Sequence, residues 1–221
     1  MTARVDLVEY ADAEMLALDL ATIIADELAG VLRIEDRATL VVPGGTTPAP
    51  LFDALSGADI DWARVDVMLS DERWVPEADA RSNAGLVRAR LLTGRAAAAT
   101  FLPFYTGAPD PDDTLAEVEA MLIPHLPASV VLLGMGADTH TASLFPGGAG
   151  LDPAAPLLVV IDTQDMLRVT LSARVLRAAL AVHVMITGAE KRLALDRATG
   201  LPPEQAPIRA VLDVAQVHWA P

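Results

Sequence analysis

Cysteine is absent from this chain of 221 residues. That excludes a disulfide framework, a cysteine nucleophile and a thiolate metal site, and leaves the compartment undecided by redox chemistry. Aromatic residues are scarce at 4%, so a core has to be assembled from Ala, Val, Leu and Ile. Cations are scarce as well. Sixteen Lys plus Arg stand against 30 Asp plus Glu, a formal net charge of −14. A surface of that sign repels nucleic acid and anionic membranes, so neither is an expected partner. Long hydrophobic runs are missing too: the longest, residues 178–186, contains His183 and is far shorter than the roughly 20 residues that span a bilayer. The opening Met-Thr-Ala-Arg-Val-Asp-Leu-Val-Glu holds no apolar signal segment. These absences lead to the expectation of a soluble, cytoplasmic protein. His125, His140, His183 and His218 show no metal-ligand spacing, so no metal site is expected.

What the chain does have is 52% hydrophobic residues, enough for a sizeable core and too many for disorder. Residues 11–29 place Met15, Leu16, Leu20, Ile23, Ile24 and Leu28 on one helical face, with Gly30 as the stop. Residues 39–42, 65–69, 130–133 and 181–186 are short apolar runs of the kind buried parallel strands show. Helices are expected over 49–55 with Pro48 in the first turn, from Ser82 to Leu92, and from Asp112-Asp113-Thr114 to near Pro124. Two more are expected from Ser172 to Leu180 and from Lys191 to Ala198. Residues 100–109, rich in proline and aromatics, read as a crossing loop. Residues 157–161 and 168–171 read as a strand hairpin, and 208–212 and 217–219 as a last helical turn and strand. No repeat and no linker interrupts this alternation. The expected fold is a single doubly wound, mostly parallel α/β domain over residues 1–221, a Rossmann-like sheet with helices on both faces.

Such sheets bind ligands beyond the carboxyl ends of their strands, and several loops with chemical content fall there. Gly44-Gly45-Thr46-Thr47-Pro48 sits between a strand and a helix. Its backbone donors and the helix dipole favour an anion, or it is an ordinary tight turn. It lacks the Gly-Lys-Ser/Thr of a nucleotide phosphate loop. Ser70-Asp71-Glu72-Arg73-Trp74-Val75-Pro76 follows another strand, as a site segment or as a solvated loop with local ion pairs. After 130–133 come Gly134-Met135-Gly136-Ala137-Asp138-Thr139-His140. A carboxylate two residues from an imidazole can orient it and stabilise its charged form, making His140 a candidate general base; the bland alternative is a structural histidine in a loop. Thr187-Gly188-Ala189-Glu190-Lys191 follows the strand at 181–186.

In order and spacing, these loops resemble the 6-phosphogluconolactonase family. The residues that carry the resemblance are Gly44-Gly45-Thr46-Thr47-Pro48, Asp71-Glu72-Arg73-Trp74-Val75-Pro76 with Ser82-Asn83, the run from Gly134 through Asp138-Thr139-His140-Thr141-Ala142-Ser143-Leu144-Phe145-Pro146-Gly147, and Gly188-Ala189-Glu190-Lys191. It extends over residues 5–219. It implies hydrolysis of 6-phospho-D-glucono-1,5-lactone to 6-phosphogluconate in the oxidative pentose phosphate pathway, with no cofactor and a small-molecule sugar-phosphate lactone as partner. His140 is then the base and Asp138 its orienting group. Gly44, Gly45, Thr46 and Thr47 with Arg168 and Lys191 anchor the phosphate, and Asp71 and Ser143 complete the binding set. Arg73 serves either the phosphate or the oxyanion. A monomer is slightly favoured. One departure stands out: where the family has Asp-Gly-His, this chain has Asp138-Thr139-His140, and a positive φ there would strain threonine. A glucosamine-6-phosphate deaminase-like isomerase would need a further carboxylate where Phe145 stands. A non-catalytic sugar-phosphate-binding regulator would need a DNA-binding segment for which there is neither room nor a basic patch.

Overall fold

The computed structural model describes residues 5–163 and 165–221; residues 1–4 and 164 of the expected domain lie outside the described residues. In chain order run β1 (Asp6–Glu9), α1 (Ala13–Leu32), β2 (Ala38–Val42), α2 (Ala49–Ser56), β3 (Val65–Leu69), β4 (Asp71–Arg73), α3 (Asn83–Arg90), β5 (Thr100–Leu102), α4 (Leu115–Leu122), β6 (Val130–Gly134), β7 (Leu158–Thr163), β8 (Met166–Leu171), α5 (Ala173–Leu176), β9 (Ala181–Thr187), α6 (Ala189–Ala198) and β10 (Ala215–Ala220). Seven strands form a parallel sheet in the order β1-β10-β9-β6-β2-β3-β5. From β2 the chain steps outward through β3 to β5, then returns to the other flank of β2 at β6 and steps outward through β9 and β10. Right-handed crossovers running in opposite directions put helices on opposite faces. This is the doubly wound α/β sheet expected. Its direction reverses between β2 and β6, and there the carboxyl ends of adjacent strands leave a crevice.

Burial explains why these segments are strands. Every residue of β2 and β3 is buried, and every residue of β6 except Gly134. Such largely apolar runs, in which the buried Asp66 is paired with Arg37, are stable only in a sheet covered on both faces. α1 lies over the sheet and inserts Leu16, Leu20, Ile24 and Leu28, all wholly buried, each contributing roughly 1.5–3 kcal/mol. Asp12 caps it, accepting from the Met15 N–H at 2.8 Å. The helix runs past Gly30 to Leu32, three residues further than expected. Leu32 is still buried, and its burial outweighs the roughly 1 kcal/mol that an internal glycine costs.

Other boundaries also differ from expectation. β1 and β5 pair on one side only, as edge strands with partly exposed residues, so neither shows the apolar run that marks β2 or β6. β4, expected as a charged loop, pairs antiparallel with β8, which completes the expected hairpin with β7. The helix after Ser172 stops at Leu176 rather than Leu180, and Ser172 makes no side-chain cap. Leu180 is 71% exposed and its N–H already bonds the Ala128 carbonyl, leading into β9.

A largely buried polar relay links α1 to β9 and β10. Tyr10 Oη meets His218 Nδ1 at 2.9 Å, His218 Nε2 meets His183 Nδ1 at 3.1 Å, and His183 Nε2 meets Glu27 Oε2 at 2.9 Å. With Glu27 ionised, His183 donates from Nε2 and accepts at Nδ1 from His218, which in turn accepts the Tyr10 hydroxyl. Each ring is then neutral and fully bonded. Burial, reinforced by His183 and opposed by Asp6, pushes His218 down to about 4. The unfolded chain therefore takes up this proton first as pH falls. Stability from His218 is complete above about pH 6.5 and is lost progressively toward pH 4, on the order of 3 kcal/mol in all. Urea unfolding at pH 7.5 and 4.5 is expected to show that loss in the wild type and a clearly smaller acid sensitivity in His218→Gln. Equal pH slopes in the two proteins would refute it.

Candidate active site

Three segments meet at the switch point. The first leaves β2 through Pro43, Gly44 and Gly45. A Cβ on Gly44 would stand 1.8 Å from the Asn83 Oδ1, so only glycine lets the loop pass the start of α3. Asn83 itself is buried and donates from Nδ2 to the Asp71 carbonyl at 2.8 Å. α2 follows with Pro48 at the cap position and no side-chain cap, whereas Asp12 and Ser82 cap α1 and α3. The Ala49 N–H bonds the Thr46 carbonyl at 3.3 Å and Pro48 and Pro50 have no N–H, so the donors for an anion here are the N–H groups of the loop that precedes α2. α6, which carries Lys191 in its first turn, is likewise without a side-chain cap.

The second segment is β4. Strand alternation sends Asp71 and Arg73 to one side and Glu72 to the other. Glu72 is wholly buried. Its carboxylate accepts from the N–H groups of Arg73 at 2.8 Å, Asn83 at 2.7 Å and Ala84 at 2.8 Å, and from Ser82 Oγ at 3.1 Å. Burial pushes this carboxyl up from its ordinary range against the pull of those donors. Asp71, also buried, accepts from Ser143 Oγ at 2.6 Å and from Ser70 Oγ at 3.1 Å. The charge run is therefore not a solvated loop. Arg73 lies directly opposite Arg168 in the β4–β8 ladder. Arg73 donates from Nη1 to the Arg81 carbonyl at 2.6 Å. The Nε of each of these arginines is buried with no partner among the described residues. Burial and the nearby Arg73 together lower the Arg168 pKa from its usual value.

The third segment leaves β6. His140 Nδ1 lies 2.5 Å from Asp138 Oδ1, which also accepts the His140 N–H at 3.2 Å. Burial raises the Asp138 pKa, but the hydrogen bond to the His140 ring, the ring's charge and the backbone N–H donors together outweigh it and hold the carboxyl below its usual range. With Nδ1 committed to Asp138, Nε2 is the nitrogen left to accept a proton. The loop closes on itself: the Gly136 N–H bonds the His140 carbonyl and the Thr139 N–H the Gly136 carbonyl, both at 2.9 Å. Thr139 has φ 71°, the strained conformation anticipated from the sequence, at a cost of about 1–2 kcal/mol. The Ile208 N–H, bonding the Thr139 carbonyl at 3.0 Å, helps to hold it there.

Gly44, Gly45, Thr47, Asp71, Arg73, His140, Arg168 and Lys191 line one cavity of about 210 Å³. Asp138 stands behind His140 and Ser143 behind Asp71, both bonded to a lining residue rather than lining it themselves. Thr46 is exposed and off the cavity wall. Asn83 lines the cavity as well. In the sequence it belongs to the Ser82-Asn83 motif without a role of its own, although its side-chain amide is a usable signal. Glu72 was hidden by looking like one more surface carboxylate. Among the described residues no group of three or more His, Cys, Asp or Glu is placed to hold a metal, and no helix is long and apolar enough to cross a membrane.

A Cβ added at Gly136 would meet the His140 ring at 2.3 Å and Asp138 Oδ1 at 2.5 Å. Gly136→Ala is therefore expected to push the imidazole out of place and cut turnover on the order of 10²-fold. It should leave the melting temperature within a few degrees, because the displaced groups face solvent. Wild-type turnover in Gly136→Ala would show that the Asp138–His140 geometry is not used.

Comparison with known proteins places the chain in a family. The family model described as glucosamine-6-phosphate isomerases/6-phosphogluconolactonase matches residues 11–219. A 6-phosphogluconolactonase of Mesorhizobium japonicum is 42% identical, covering 96% of this chain and 94% of the relative. One of Pseudomonas aeruginosa is 40% identical, covering 100% and 97%. The crystal structure of a 6-phosphogluconolactonase from Shewanella baltica superposes with a TM-score of 0.95 at 32% identity, covering the whole of both chains. A monomeric glucosamine-6-phosphate deaminase superposes at 0.81 with 17% identity over 97% and 96%, a likeness of fold alone. With its family match, its relatives and its strand-end loops in agreement, the chain belongs to the glucosamine-6-phosphate isomerase/6-phosphogluconolactonase family.

Proposed function

We propose that this chain is a 6-phosphogluconolactonase of the oxidative pentose phosphate pathway, acting in the cytoplasm as a single domain over residues 1–221. The observation that carries the reading is the Asp138–His140 pair at a cavity that also holds Arg73, Arg168 and Lys191, none of them in a salt bridge among the described residues. The relatives' shared name supports it. His140 Nε2 removes a proton from water as its oxygen adds to the lactone carbonyl carbon. Asp138 stabilises the imidazolium that results. The tetrahedral oxyanion collapses, the ring C–O bond breaks, and the imidazolium returns its proton to the leaving oxygen. The product acid ionises and releases a proton to solvent. Gly44, Gly45 and Thr47 at the α2 N-terminus, with Arg168 and Lys191, hold the phosphate. Arg73 joins them, because two guanidiniums facing each other across one ladder rung favour a doubly charged ligand. Isomerisation of an amino sugar is not favoured: Phe145 offers no transferable proton at the position where that chemistry needs a carboxylate.

Acid release from freshly made lactone, followed in a pH-stat, tests this. The wild type is expected to turn over 6-phosphogluconolactone, and His140→Ala to lose on the order of 10²-fold or more. Lys191→Ala should lose roughly 10- to 150-fold in kcat/KM on the phosphorylated lactone and much less on unphosphorylated gluconolactone. Near-wild-type turnover by His140→Ala, or equal losses by Lys191→Ala on both lactones, would overturn the corresponding role.

A further inference from the structure

We infer that Phe145 is a positioning residue that packs between the His140 imidazole and the Arg168 guanidinium and fixes both; the inference rests on the hydrolytic reading above. The ring centres of His140 and Phe145 are 4.9 Å apart with a 38° tilt. The Arg168 Cζ lies 5.5 Å from the centre of the same Phe145 ring. One aromatic side chain therefore touches both the base and a phosphate anchor.

Neither of those groups is otherwise well constrained. Asp138 holds the imidazole through Nδ1, and a ring tied at one edge can still swing about that bond. A contact against its face removes the swing. Arg168 makes no salt bridge, and its Nε is buried without a partner among the described residues. The electron-rich face of Phe145 gives its charge a favourable location.

Phe145 is itself held from both sides of the site. Thr141 and Leu144 form a bridge, and Thr141 Oγ1 donates to the Gly134 carbonyl at 2.8 Å. Ser143 reaches the small sheet through Asp71 at 2.6 Å and through Thr170 Oγ1, which accepts its N–H at 3.2 Å. Asp71 and Thr170 are cross-strand partners, two rungs along the same ladder from Arg73 and Arg168 and so on the same face. The Phe145 carbonyl accepts from the Gly148 N–H at 2.9 Å. The loop that carries the base is thus fastened to the hairpin that carries the cation, and Phe145 projects at the join. Its function is register: the reacting carbon must face His140 when the phosphate, several bonds away, is seated on Arg168.

The test uses Phe145→Leu, which keeps an apolar side chain of similar bulk, and Phe145→Tyr, which keeps the ring. Kinetics on phosphorylated and unphosphorylated lactone are combined with the Cε1–H resonance of His140 in the full-length protein, assigned by its loss in His140→Ala. Phe145→Leu is expected to lower kcat about tenfold on both lactones. It should raise KM roughly twofold to fivefold on the phosphorylated lactone alone, and move the His140 resonance as the ring current is lost. Phe145→Tyr should restore all three. Wild-type kinetics in Phe145→Leu would overturn the inference. So would a uniform loss of active protein with KM and the resonance unchanged, which marks a purely structural role. A wild type with no lactone turnover would overturn the functional reading instead; the inference would then stand or fall on whether the resonance moves in Phe145→Leu and returns in Phe145→Tyr.

Discussion

The site depends on one buried carboxylate. Glu72, with no exposed surface, collects donors from the strand it sits on and from the start of α3. A buried charge is tolerable only when it is hydrogen-bonded on every side, and that requirement locks β4 to α3. Because a strand alternates, fixing Glu72 inward turns Asp71 and Arg73 to the cavity. Fixing α3 seats Asn83 against Gly44, which sets how close the first loop comes to the second. β4 also carries the small antiparallel sheet, and so Arg168. Loss of the Glu72 network would therefore misplace the anion anchor and, through the Ser143–Asp71 bond, disturb the loop that carries His140 as well.

Electrostatics explains the division of labour. With a net charge of −14 the chain repels an anionic substrate at long range, so attraction has to be local. Elsewhere several arginines are neutralised, as Arg37 is by the buried Asp66, Arg90 by Asp53 and Arg192 by Glu9. At the crevice the pattern reverses. Arg73 and Arg168 face each other across a ladder, and neither has an ion-pair partner among the described residues. An arrangement that is unfavourable when empty becomes favourable when a dianion is bound. The negative groups nearby are engaged in other bonds: Asp71 with Ser143 and Ser70, Asp138 with His140.

Much of this was legible in the sequence where a residue pattern maps onto one physical demand. The buried strands β2, β3, β6 and β9 follow from largely apolar runs, broken by Asp66 in β3 and His183 in β9, and the switch point follows from their alternation with helices. The Asp138–His140 pair lies where its spacing placed it, and the strain at Thr139 followed from a β-branched residue at a position the family gives to glycine. What stayed hidden were features decided by partners distant in sequence. β1 and β5 are short edge strands whose residues carry no run. β4 reads as three charges until β8 lies beside it. Glu72 is indistinguishable from a surface carboxylate until α3 delivers its donors, and the part Asn83 plays is visible only once it abuts Gly44.

The account separates an anchor for the phosphate from a base for the ring, and product binding to an inactive variant tests that separation most directly. Calorimetric titration of His140→Ala with 6-phosphogluconate is expected to give an affinity within a few-fold of the wild type. Arg168→Ala should bind roughly 10- to 150-fold more weakly, as the loss of a charge-assisted contact requires. If His140→Ala loses product affinity as severely as it loses turnover, or if Arg168→Ala binds as tightly as the wild type, base and anchor are not the separate groups described here.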